Sequence, residues 1–277
     1  MPEPAKTKAV VSGVRLFVVC ALFLPQFQGI AQSGIELFPD NRLYPTYRAD
    51  ALAHQLSISK ITDNREWIGA IGGDLPLVSY SGKKYDVQGV IGASIFNRLI
   101  KTPGHVIVST VDYRVDFNLD FSYESVPFRI GWGHVSSHYA DDGIEILGAH
   151  SINFLRDYLQ LGVAHSVGIL GGTTYVHLTY AYHRQPLPDR PWIFQFGSDF
   201  GNISLASWAI LYAAVDIKLK EEVGWGSTQS YQLGLLLFSR GNADLRLAFT
   251  HRTGYEERGQ LFDRKTHNSL ISLCIDH

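Results

Sequence analysis

Hydrophobic and polar residues alternate one for one along much of the chain. The clearest run is "STVDYRVDFNLDFS" (109–122), where Val111, Tyr113, Val115, Phe117, Leu119 and Phe121 interleave with Asp112, Arg114, Asp116, Asn118 and Asp120. Successive side chains of a strand point to opposite faces, so this segment predicts a strand with one apolar face and one almost wholly charged face. The rhythm returns in "RPWIFQFGSDF" (Trp192, Phe194, Phe196), "QSYQLGLLLF" (Tyr231, Leu233, Leu235, Leu237) and "ADLRLAFTHR" (Leu245, Leu247, Phe249). About twelve such segments are predicted, at 53–62, 66–80, 85–97, 108–121, 125–138, 151–166, 172–184, 191–200, 205–219, 226–238, 243–253 and 266–276. One segment alone would also suit a soluble sandwich. Repetition of a ten-residue dyad rhythm is instead the mark of a closed, all-β, antiparallel transmembrane β-barrel of about 12 strands.

The connections add an independent sign. "SGKK", "SYES", "GNIS" and "SRGNA" are short, whereas "NRLIKTPGHV", "YADDGIEILGAH" and "TGYEERGQLFDRK" are long; the alternation suits a barrel with short periplasmic turns and long extracellular loops. The short connection at 63–65 departs from it. Residues 1–31 combine Lys6, Lys8 and Arg15 with the apolar run "LFVVCALFL" and a small-residue end at Ala31, the order of a signal peptide. Residues 32–50, with Pro39, Pro45 and no dyad rhythm, read as a periplasmic lead-in, and 51–277 as the barrel in the bacterial outer membrane. The formal net charge of −2 gives no sign of a nucleic-acid partner. Past the signal, Cys274 is the one cysteine, so no internal disulfide is expected. Oligomeric state is not legible here.

Against this background "GWGHVSSHYADD" (131–142) stands out. Phe128, Ile130, Trp132, His134, Ser136 and His138 share the apolar, lipid-facing side of their strand, and loop parity puts His134 and Ser136 level with the outer leaflet. Residues two apart on one face have Cα atoms roughly 6.6 Å apart, within side-chain hydrogen-bond reach. Ser136 as nucleophile and His134 as base is the pairing acyl transfer needs. On the next strand Asn153 and Asp157 share the lipid-facing parity of Leu155, Leu159 and Leu161, and either one beside His134 would orient the imidazole. The alternative is that His134 is an interfacial aromatic and the serines begin the loop. Asp141, Asp142 and Glu145 form a candidate site for a loop-bound divalent cation; no soluble cofactor is implied. The inward charges Asp112, Arg114, Asp116, Asp120, Arg129, Arg156, Lys218 and Arg246 mix both signs, which favours a paired internal network over an open ion path.

The order "ELFPDNRLYPTYRAD", "VDYRVDF", "GWGHVSSHYADD", "NFLRDYLQL", "DIKLKEEVGW" and "GYEERGQLFDRK" resembles a family of bacterial exported proteins known as domain of unknown function 1207, which implies a surface barrel without an established activity. The His-x-Ser pair is similar to that of two outer-membrane hydrolases, lipid A deacylase and outer-membrane phospholipase A. That similarity implies an acyl-ester hydrolase of outer-leaflet lipids with a carboxylate or asparagine as third member; Ser137 departs from the asparagine usual after the serine. The competing function is a non-catalytic pore, scaffold or binding barrel acting through extracellular loops, above all the charged "TGYEERGQLFDRK".

Overall fold

A computed structural model describes residues 34–167, 172–237 and 244–276. The signal peptide expected at 1–31 lies outside the described residues. A three-residue strand β1 (Ile35–Leu37) is followed by β2 (Leu56–Ile61), β3 (Glu66–Ser81), β4 (Tyr85–Thr102), β5 (His105–Tyr123), β6 (Val126–Tyr139), a short helix α1 (Asp141–Glu145), β7 (Phe154–Val167), β8 (Gly172–Gln185), β9 (Trp192–Ala206), β10 (Ala209–Lys220), β11 (Gly226–Leu237), β12 (Asp244–Tyr255) and β13 (Lys265–Asp276). Strands β2 to β13 pair antiparallel in chain order, and β2 pairs with both β3 and β13. The sheet is therefore a closed twelve-stranded barrel, with β1 laid along the far end of β3 at Val78–Tyr80. Closure leaves no long edge to aggregate and satisfies the backbone within the sheet, the condition for crossing lipid with strands.

The alternation seen in the sequence becomes inside and outside. On β5, Asp112, Asp116 and Asp120 are buried, while Phe117 and Leu119 are about half exposed. Leu159, Leu161, Phe194, Phe196, Leu233, Leu247, Phe249 and Ile271 continue the exposed apolar band around the wall. Two connections differ from the sequence reading. Most of "NRLIKTPGHV" is strand, because β4 and β5 stay paired to Thr102 and His105 and turn on two residues. Likewise β9 runs through "GNIS" to Ala206, where the turn begins.

The larger correction concerns what fills the lumen. The segment 32–50 reads as a lead-in outside the barrel, yet Tyr44, Tyr47, Ala49 and Asp50 are buried within it. The Tyr47 ring stacks on Tyr175 of β8 at 3.5 Å, and the Arg129 guanidinium lies 4.5 Å from the Tyr44 ring. Lys218 of β10 donates to Asp50 at 2.6 Å, and His54 bridges Ser94 of β4 and Asp116 of β5, at 2.7 Å each. The loop "TGYEERGQLFDRK" also folds inward rather than outward. Asp112 accepts a bond from the Gly259 amide at 2.9 Å, Ser137 accepts one from the Gln260 amide at 3.0 Å, and Lys218 reaches Glu257 at 3.0 Å.

The cause is electrostatic. Arg129 pairs with Asp120, Arg114 with Asp116, and both Arg156 and Arg184 with Glu222. Lys218 takes an acidic partner from each inserted segment, Asp50 and Glu257, because an unpaired buried charge is costly. A polar cavity of about 140 Å³ remains between plug and wall. Burial would raise the Glu257 carboxylate, but Lys218 and Lys220 outweigh it and hold it at about 2. Glu256, also pushed up by burial, is held at about 2 by Arg258.

Carboxylates held below their unfolded value stabilise the plug above about pH 4.3 and lose that contribution as pH falls toward about 2. Planar-bilayer recording should show little conductance at neutral pH and a rise only below about pH 4.3. Lys218→Ala should raise neutral-pH conductance, since it leaves Asp50 buried without its cation, and Glu257 with Lys220 alone, at a cost of about 3–5 kcal/mol. A steady, large neutral-pH conductance from the wild type would contradict a plugged lumen.

Candidate active site

The β6 strand divides as its sequence implies. Gly131, Gly133 and Ser137 face the lumen and are buried, while Ile130 and His138 are exposed on the outer surface with Trp132, His134 and Ser136 half-buried between them. A Cβ at Gly133 would collide with Asp116 and Tyr158, so glycine here lets the lumen network pack directly behind the outer face. Ser137 is held by Asp112 and the β12–β13 loop, and so belongs to the interior.

Antiparallel register sets Asp157 of β7 directly opposite His134, and Leu155 opposite Ser136. The His134 Nδ1 lies 2.6 Å from Asp157 Oδ1. An ionised carboxylate can only accept, so this contact assigns the imidazole proton to Nδ1 and leaves the lone pair on Nε2. The imidazole is 39% exposed and Asp157 is 21% exposed, a partly dry setting on the outer wall. Among the described residues the Ser136 hydroxyl has no hydrogen-bond partner; it sits between Tyr113 of β5 and Leu155. His134 and Asp157 are thus in contact, and Ser136 lies two residues along the same face without a hydrogen bond to His134. Catalytic hydrogen bonds often tighten only when substrate is bound.

Asn153, the other candidate orienter, is turned to the loop, where its amide donates to Gln185 at 2.7 Å. Asp141, Asp142 and Glu145 do not make the cation site expected of them. The first two open α1, Asp142 accepts the Val108 amide at 3.1 Å, and among the described residues no three His, Cys, Asp or Glu side chains are grouped to hold a metal.

A residue that sequence reasoning missed stands beside the pair. His183 of β8 places its Nδ1 2.8 Å from the second Asp157 oxygen, and Tyr182 accepts a bond from the Trp132 indole at 2.6 Å. "YAYHRQ" closes the strand predicted at 172–184, which runs through Gln185. What hides His183 is a β-bulge: Asp157 pairs with His183 and Tyr158 with Ala181, so Tyr182 is an extra residue that breaks the dyad parity. Tyr180 and Trp192, with ring centroids 4.6 Å apart, extend an aromatic patch from this site, as expected at a membrane boundary.

Comparison with known proteins gives a fold and no family. No family model matches the chain, so membership of domain of unknown function 1207 is without that support, and no curated protein matches it. Among solved structures the chain is similar to the outer membrane phospholipase of Salmonella typhi, solved as a dimer with bound calcium, with a TM-score of 0.50 and 14% identity over 85% of this chain and 95% of that one. The likeness is one of fold and agrees with a membrane-spanning barrel.

The geometry distinguishes Asp157 from Asn153. Side-chain ¹⁵N spectra should show His134 protonated at Nδ1, a state lost in Asp157→Leu and retained in Asn153→Ala. Loss in the asparagine variant alone would contradict the register.

Proposed function

We propose that this chain is an outer-membrane barrel that hydrolyses acyl esters of outer-leaflet lipids, with Ser136 as nucleophile, His134 as base and Asp157 as orienter. The observation that carries the reading is the His134–Asp157 contact made through Nδ1 on the outer wall, with Ser136 two residues along the same face. That tautomer leaves Nε2 able to take the Ser136 proton as Oγ attacks the ester carbonyl. The imidazolium so formed is stabilised by the Asp157 carboxylate. It returns the proton to the departing lysolipid alkoxide, leaving an acyl-serine. Water, deprotonated by the same Nε2, then releases the fatty acid and restores Ser136.

Position supports the reading as much as geometry does. A site flanked by Leu155, Leu159 and Trp132 on the outer wall receives lipid by lateral diffusion, and apolar neighbours limit competing water. The solved structural neighbour is a phospholipase with bound calcium. Among the described residues no three His, Cys, Asp or Glu side chains are grouped to hold a metal, and the steps above are written for the chain's own side chains. The non-catalytic alternative loses its best feature, since residues 256–262 of that loop are folded into the barrel.

Incubation of the purified protein with phospholipid and lipid A should release fatty acid from at least one of them. Ser136→Ala and His134→Ala should each lower the rate by about four orders of magnitude, as in serine triads, without altering the barrel, since neither side chain reaches the interior. Equal release from all three proteins would overturn the assignment.

A further inference from the structure

Across Asp157 from His134 the outer face carries an imidazole that this chemistry leaves unused. His183 reaches Asp157 Oδ2 at 2.8 Å while His134 reaches Oδ1 at 2.6 Å, so one carboxylate is clamped between two imidazoles donated by the strands on either side. Strand alternation does not account for this. Ala181 and Arg184 are buried in the interior and Tyr180 is exposed, so strict parity between them would allow one outward residue; the bulge at Tyr182 provides two, Tyr182 and His183. The ladder gives up one pairing to present His183, and bulges of this kind re-aim side chains at functional sites. Trp132, donating to the Tyr182 hydroxyl at 2.6 Å, ties the bulged residue back to the strand that carries His134.

We propose that His183 is a positioning residue whose Nδ1–H fixes the rotamer of Asp157, and through it the tautomer and plane of His134. This rests on the acyl-hydrolase reading of the same site. A carboxylate with a single partner can turn about its terminal torsion, whose profile is broad. On a wall facing lipid, few waters are available to hold the second oxygen. A neutral His183 does so without adding charge, because Nδ1–H donates and Nε2 stays unprotonated. Asp157 therefore keeps its full negative charge for the imidazolium that forms on His134, with both of its oxygens hydrogen-bonded.

The test compares His183→Ala with His183→Asn, whose side-chain amide places an N–H donor where the imidazole Nδ1 stood. Both are made in the full chain, refolded in detergent micelles and checked for barrel formation by heat-modifiable gel mobility. In His183→Ala the ¹⁵N spectrum of His134 should change from the Nδ1–H form to a mixture with Nε2–H. With phosphatidylethanolamine in mixed micelles, kcat should fall about tenfold or more, as for other orienting partners, while KM stays within about twofold. His183→Asn should restore both the spectrum and most of kcat. An unchanged His134 spectrum in His183→Ala, or an asparagine variant as impaired as the alanine one, would overturn the proposal. If the wild type hydrolyses no lipid, the hydrolase reading fails and the spectra alone decide whether His183 positions His134.

Discussion

Closure of an antiparallel sheet around charged residues is the constraint from which the rest of this structure follows. Once the ring is closed, each strand residue has two destinations, lipid or lumen, and parity decides which. The lumen of this barrel receives Arg114, Asp116, Asp120, Arg129, Arg156, Lys218 and Arg246, charges that cannot remain there unpaired. Wall residues meet part of that demand. The rest is met by drawing two segments inward, one from the N-terminal side and one from the β12–β13 connection, through Asp50, His54 and Glu257. The plug is thus a consequence of the same charges that make the strands amphipathic.

The same constraint shapes the outer wall. Packing behind β6 is tight because Gly131 and Gly133 admit the polar network of Asn118, Asp116 and Tyr158 to the back of the strand. A rigid interior gives His134, Ser136 and Asp157 a firm base, although all three lie on the side that ordinary alternation reserves for apolar residues. Polar groups on that side face a costly environment unless they are partnered. Asp157 has two partners and Trp132 has Tyr182, and these contacts lie together on neighbouring strands.

Much of this was legible in the sequence, and the exceptions share a cause. Dyad rhythm located the strands because it reports which face each side chain takes, and the same rule put His134 and Ser136 outward and Arg129 and Ser137 inward. It also placed Asp157 on the outer face, while the register that brings it beside His134 depends on the length and path of the 140–153 connection. Rhythm is silent about segments with no strand, so Tyr44, Tyr47 and Asp50 looked like a lead-in and "TGYEERGQLFDRK" like a surface loop. It misleads at a bulge, where one added residue reverses parity and hides His183. The acidic trio Asp141, Asp142 and Glu145 looked like a cation site by composition, which says nothing about whether carboxylates converge.

The central claim is that Ser136 is a nucleophile activated on the outer wall by His134. Its most direct measurement is covalent labelling of the intact barrel in micelles with a long-chain alkylphosphonyl fluoride, followed by peptide mass spectrometry. The account predicts one adduct, on Ser136, formed in the wild type and slowed by orders of magnitude in His134→Ala, with Ser137 unmodified. No adduct on Ser136, or labelling as fast without His134 as with it, would contradict the account.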